Sequence, residues 1–412
     1  MADVTCRNRA CDDVPVGPAT GVRPGRIATA AVDHDHGVTP RELFFDLVFV
    51  FAFTQVATLL AGDPTFAGIG RGLLVLAALW WAWAAYAWFT NVVDPEDGVV
   101  GATLLVALIA MFVAALAVPG VFGEDGLLFG TAFLVVCLMH TTLYALAGRG
   151  DPQLLGAVLR LAPWNLLGAA LILVAGVMDG ARIGLWVAAL VLTYVGAVLT
   201  GSTGWRLHPS HFAERHGLVL IIALGEAFIS IGIGAAGIDL GPGEIVAAIL
   251  GLLVATSLWL AYFDFFAIRG EQLLEVRQGA DRIGLARDIY TYAHFPMIAG
   301  IVLFAFAMKT IVAHVGEELD APAAFALCGG CALYLLAYTV IRFRVTRRLT
   351  VNTGRFVAAF ALIVLLPVAT AVPALAALAL VTAVWVALHA YELIWWREAR
   401  AESRSVLTSS ST

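Results

Sequence analysis

The chain has 412 residues, of which 61% are hydrophobic and 13% charged, with a net charge of -6 and a mean hydropathy of +0.90. A soluble globular domain carries about 25% charged residues, so this composition excludes one and describes an all-α polytopic membrane protein. The net charge says little about partners; the lipid bilayer and an unidentified small solute or ion are the expected ones, with no nucleic acid and a homo-oligomer left open.

Residues 1–40 hold no apolar run but several Gly, Pro and Asp, and read as a disordered tail rather than a cleavable signal. Cys6, Cys11, His34 and His36 lie there without the paired spacing of a metal cage. Apolar segments of about 20 residues follow, each able to cross about 30 Å of hydrocarbon as a helix. They are continuous runs rather than short alternating strands, which favours helices over a barrel.

The first span runs from Leu43 to Ala61. It carries Asp46 about one turn inside its start, Glu42 four residues earlier on the same helix face, and Gln55 late in the span. An Asp near a helix centre costs about 2.5–3.5 kcal/mol to insert, so each such group is a candidate site residue. Asp46 reads equally well as a group paired with Arg41 or Arg215. Spans two to six are Gly72 to Thr90, Val99 to Val118, Leu127 to Ala147, Leu154 to Gly176 and Ile183 to Thr200. His140, two turns from the end of the fourth, reads as packing more readily than as a site residue.

A loop before the seventh span holds His211, Glu214 and Arg215. That span, Gly217 to Ala236, places Glu226 near the membrane midplane, where a carboxyl without a neighbouring cation can carry a proton. Gly225, Gly232, Gly234 and Gly237 thin the same helix; the spacing of the last three matches a dinucleotide fingerprint, but no strand precedes it, so packing is the better reading. Span eight, Ile245 to Ile268, contains Asp264. Span nine, Ile289 to Ala313, follows Asp288, carries His294 one turn in, and ends near Lys309, the only lysine, expected to snorkel outward. Span ten, Ala323 to Ile341, includes Cys328-Gly-Gly-Cys331, read as small residues for close helix approach rather than a redox motif. Phe356 to Val372 and Leu375 to Trp396 complete about twelve spans, followed by a tail over 397–412.

Nearly all arginines fall on the side of the amino terminus, whereas Arg71 and Arg182 alone occupy the other connections. By the positive-inside rule both termini are cytoplasmic, which requires an even number of spans. Trp83-Ala-Ala-Tyr86-Ala-Trp88-Phe89 at the end of span two is echoed by Trp259-Leu-Ala-Tyr262-Phe-Asp264-Phe265 at the end of span eight. The expectation is two parallel six-helix units, 41–205 and 206–396, related by an axis along the membrane normal.

Three segments carry a resemblance: Arg41-Glu-Leu-Phe-Phe-Asp46-Leu-Val-Phe; His211-Phe-Ala-Glu214-Arg215-His216-Gly-Leu with Ala223-Leu-Gly225-Glu226; and Ala286-Arg287-Asp288-Ile-Tyr290-Thr-Tyr292-Ala-His294-Phe-Pro296-Met. In order and spacing they resemble the bacterial low temperature requirement A protein family. The resemblance implies a multi-pass bacterial inner-membrane protein named for a growth phenotype, and it supplies no catalytic or transport residue. The first helix is also similar to the Phe-Ser-Asp motif of a six-helix-unit potassium channel family, with Phe45 in place of the Ser and the upstream Arg one position closer.

No Walker A loop or paired CxxC cage is present, and no cofactor or metal is expected. The expected activity is movement of a small solute or ion, with Glu226, Asp46 and His294 lining or controlling the pathway. The polar groups at the inner rim are expected to form a vestibule open to the cytosol. The alternative is a membrane-embedded enzyme acting on a lipid headgroup through His211 and Glu214.

Overall fold

The computed structural model describes residues 37–264, 266–346 and 353–409, with side chains described except at 267–269, 346 and 395–409. Of the tail expected over 1–40, residues 1–36 lie outside the described residues, as do Arg347 and Arg348, and Pro40 already belongs to the first helix. The secondary structure is helical, in the order α1 Pro40–Gly62, α2 Phe66–Thr90, α3 Gly98–Leu116, α4 Gly126–Ala147, α5 Pro152–Ala175, α6 Arg182–Leu199, α7 Pro209–Gly234, α8 Pro242–Phe263 and α9 Phe266–Val276. It continues through α10 Gly279–Ala313 and α11 Ala321–Val345, then α12 Thr353–Ala369 and α13 Ala374–Ser409. Eleven of these are long and apolar enough to cross a membrane.

The eleventh expected span, Phe356 to Val372, is α12, which has 17 residues and contains Pro367 near its end. At about 1.5 Å per residue it stands at the lower limit of what crosses the hydrocarbon layer. Expected span eight is broken at Asp264, where α8 ends and the short α9 begins. The expected tail over 397–412 is helical as far as Ser409, as the continuation of α13. The loop expected before span seven is instead the first two turns of α7: Pro209 sits in its first turn, where a missing N–H costs nothing, and His211, Glu214 and Arg215 are helical.

Each half of the chain has the same pattern of helix neighbours. In the first, α1 packs on α2 and α3, then α3 on α4, α4 on α5, α5 on α6, and α6 returns to α2. In the second, α7 packs on α8 and α10, then α10 on α11, α11 on α12, α12 on α13, and α13 returns to α8. The additional helix α9 lies beside α7 and α8.

Helices α2 and α10 are the most enclosed. They are pinned together by two indoles of α2: Trp80 Nε1 donates to the Thr291 carbonyl at 2.7 Å, and Trp88 Nε1 to the Thr291 hydroxyl at 2.9 Å. Thr291 lies in a π-helical stretch, Arg287–Ala293, where the hydrogen-bond register is one residue wider than in an α-helix. Farther along, α10 and α11 touch backbone to backbone: a Cβ on Gly300 would lie 2.5 Å from the Gly330 carbonyl oxygen. Gly330 belongs to the Cys328–Cys331 segment, so glycine is what the spacing of these helices requires there.

Candidate functional site

Helices α1 and α7 run parallel and meet along a polar seam. Both begin with proline in the first turn. In α1 the start is fixed by a capping box, in which the Thr39 side chain accepts from the Glu42 N–H while the Glu42 carboxylate accepts from the Thr39 N–H. That reciprocal bond holds Glu42 toward α7 and leaves its other oxygen for a partner across the seam.

The partner is Arg215, which is fully buried. One terminal nitrogen donates to Glu42 Oε1 and to Thr90 Oγ1, each at 2.7 Å, and the other donates to Asp46 Oδ1 at 2.6 Å. Trp83 Nε1 donates to the same Asp46 oxygen at 2.9 Å. His211 accepts at Nδ1 from the Asn91 amide, so its Nε2 carries the proton and donates to Glu42 Oε2 at 3.0 Å. Asp46 and Glu42 are 0% and 1% exposed. These groups are therefore sealed between helices rather than lining an open vestibule, because Arg215 and the indole of Trp83 fill the space that water would need. With both carboxylates ionised, the single guanidinium leaves one net negative charge in the cluster. Asp46 Oδ2 and Arg215 Nε are buried without hydrogen-bond partners.

Glu226 continues the seam eleven residues beyond Arg215, about 16 Å deeper along α7. It accepts from Thr54 of α1 at 2.5 Å and from Ser230, one turn later on its own helix, at 2.8 Å. It is fully buried. Of the glycines expected to thin this helix, only Gly234 meets a close neighbour, the backbone of Lys309, while Gly225 and Gly232 have nothing near a would-be Cβ.

The other predicted residues are dispersed. His294 donates from Nδ1 to the Ile289 carbonyl and accepts at Nε2 from the Tyr262 hydroxyl at 3.0 Å, inside an aromatic group with His216 and Tyr290. Asp288 bridges Arg287 and Arg344 at the amino-terminal face. Glu214 is exposed and accepts from the Val38 N–H. Asp264 is exposed at the end of α8, and Gln55 is half-buried beside Thr54. His140 lies in α4 against Tyr86, Phe89 and Tyr144, away from the seam. A second charge pair joins the buried Arg355 of α12 to the half-buried Glu392 of α13 at 2.5 Å, with the guanidinium 3.8 Å above the Tyr338 ring.

Sequence reasoning missed Thr90, Asn91 and Ser230. Ser230 was accessible, since it stands four residues from Glu226 and hence on its face. Thr90 and Asn91 end α2, and only the tertiary approach of α7 brings them to Arg215 and His211. Outside the spans, burial and the neighbouring Glu275 and Glu214 raise the Glu271 carboxyl above its ordinary range.

A profile of the bacterial low temperature requirement A protein family matches residues 37–390. An uncharacterized protein of Rhizobium meliloti (strain 1021) is 30% identical over 306 residues, covering 71% of this chain and 74% of the relative. No solved structure matches the chain.

Proposed function

The chain belongs to the bacterial low temperature requirement A protein family, whose name carries no chemistry, and from the α1–α7 seam we propose that it moves a small cation or cation-coupled solute across the membrane. One observation carries this reading. Asp46 and Glu226 occupy the same interhelical seam at two depths, and among the described residues only one fixed cation, Arg215, forms an ion pair with the seam's carboxylates. A buried ion pair adds little stability over apolar packing of the same volume, and an isolated intramembrane carboxyl costs several kcal/mol to desolvate. Groups held at that cost are explained by a proton or cation that occupies them in turn.

The matching neighbour patterns of the two halves support an internal duplication whose axis passes between α1 and α7. The arginine-rich amino-terminal face is then cytoplasmic, by the charge bias of the loops. A channel and an alternating-access transporter both use such a seam; the buried, closed cluster at its amino-terminal end favours a transporter.

The test is flux in proteoliposomes, with a pH-reporting dye inside and sodium, potassium or a proton gradient imposed. Wild-type protein should move protons or one of these ions. Glu226→Gln and Asp46→Asn should each reduce that flux at least tenfold while the protein remains folded. Absence of flux in the wild type, or flux that both variants preserve, would overturn the reading.

A further inference from the structure

A separate cavity lies on the other side of α2, between α2, α4, α5, α6 and the start of α10, with about 70 Å³ of space for the centres of water-sized molecules. At about 10–15 Å³ for one water by that measure, it holds several waters or one small ring system. Its walls are rings: Trp81, Trp88, Trp205, Tyr144 and Tyr292. The floor at Trp81 and Asn165 is buried, whereas Thr200, Gly201, Trp205 and Arg287 are half-exposed, so the mouth opens at the amino-terminal face.

The hydrogen-bond accounting of this cavity is one-sided. Tyr144 and Tyr292 spend their hydroxyl protons on the carbonyls of Trp88 and Tyr194. Thr291 Oγ1 accepts from Trp88, and Asn165 Oδ1 accepts from Trp81. What remains is the Asn165 amide N–H groups, the one terminal nitrogen of Arg287 that does not donate to Asp288, and His140, 6% exposed, whose neutral ring offers one donor and one acceptor. No acidic side chain lines the wall. At the mouth, Arg287 and Arg344 share the single carboxylate of Asp288. The adjoining recess, which shares Trp205, adds Arg160 and the Arg206–Asp151 pair. An aromatic cage alone would suit a cation, but the excess of guanidinium groups over carboxylates at the mouth, Arg287, Arg344, Arg160 and Arg206 against Asp288 and Asp151, selects the opposite charge.

We propose that this cavity binds a small planar anion from the aqueous side, with its apolar body between the Trp and Tyr rings and its carboxylate, or an equivalent acceptor end, at Arg287. The proposal does not depend on transport through the α1–α7 seam. Three probes sharing one ring system separate the contributions: 2-naphthoate, 2-naphthalenemethanol and 2-naphthylmethylammonium, titrated by calorimetry into purified protein in phosphatidylcholine nanodiscs. The naphthoate should bind saturably at one site, at least tenfold tighter than the ammonium compound. Arg287→Gln should weaken naphthoate about tenfold and leave the alcohol within about twofold, and Arg287→Lys should recover most of the loss. His140→Phe should weaken both naphthoate and alcohol, and Ala197→Phe, which fills the cavity from α6, should abolish binding of all three without lowering helicity. Equal affinity for anion and cation, or naphthoate binding that survives Ala197→Phe, would overturn the proposal.

Discussion

Asp46 and Arg215 form a 2.6 Å contact across a sequence separation of 169 residues, and the neighbouring pair Glu42–His211 has the same separation. Each member stands at the same distance from the proline that opens its helix, since 46 − 40 and 215 − 209 are both six. Two parallel helices thus begin level and stay in register for two turns, with an acid facing a base at each step.

Removing Arg215 leaves two buried carboxylates without compensation. Arg215→Ala should destabilise the protein by about 3–5 kcal/mol, whereas a triple variant with Glu42→Gln, Asp46→Leu and Arg215→Met should recover most of that loss. Thermal unfolding in detergent, followed by helicity, reads both; a triple variant no better than the single one would contradict the account.

Thr54 and Glu226 link α1 to α7 at depth. The double-mutant cycle Thr54→Val with Glu226→Gln should return a coupling of about 1 kcal/mol, the net worth of one hydrogen bond. A coupling near zero would mean that the contact holds nothing.

Gly300 and Gly225 should respond oppositely to the same change. Gly300→Ala places a methyl against the Gly330 carbonyl and should cost about 1–3 kcal/mol as α10 and α11 separate. Gly225→Ala meets nothing within 4 Å and should be neutral or stabilising by up to about 1 kcal/mol from helix propensity. Melting temperatures of the two variants, compared side by side, test the contrast.

Asp151 caps α5 and is held by Arg206, whose hydrogen bonds, with those of the first-turn N–H groups, keep its carboxyl below the ordinary value of 3.8. A depressed carboxylate contributes stability that is complete above its unfolded value and is lost as the pH falls through the lower folded value. Thermal stability should therefore be flat from neutral pH down to about 5 and decline below about 4. Asp151→Asn, which keeps the cap but not the charge, should flatten that decline, although Arg206 is half-exposed and salt will weaken the effect.

Much of this architecture was legible because membrane spans announce themselves by length and composition. The all-helical class and the positions of the long helices follow from that alone. The site was legible only in part. Asp46 stands out as a charge in an apolar run with Arg41 and Arg215 as its two basic candidates, but a polar run next to a proline reads as a loop until packing makes it helical. Once α7 begins at Pro209, the face shared by His211 and Arg215 follows from helical spacing. The break at Asp264 and the short α12 were hidden because hydropathy averages over a window and cannot register where one helix stops and another turns.

The widened turn over Arg287–Ala293 gives α10 a function beyond spanning. Ile283 before it and Arg287 at its start face the aromatic cavity, Thr291 within it is clamped by Trp80 and Trp88, and His294 after it meets Tyr262. One residue more or fewer there would rotate one part of the helix against the other by about 100°, so the turn acts as a vernier that sets the phase between two sites on a single rod.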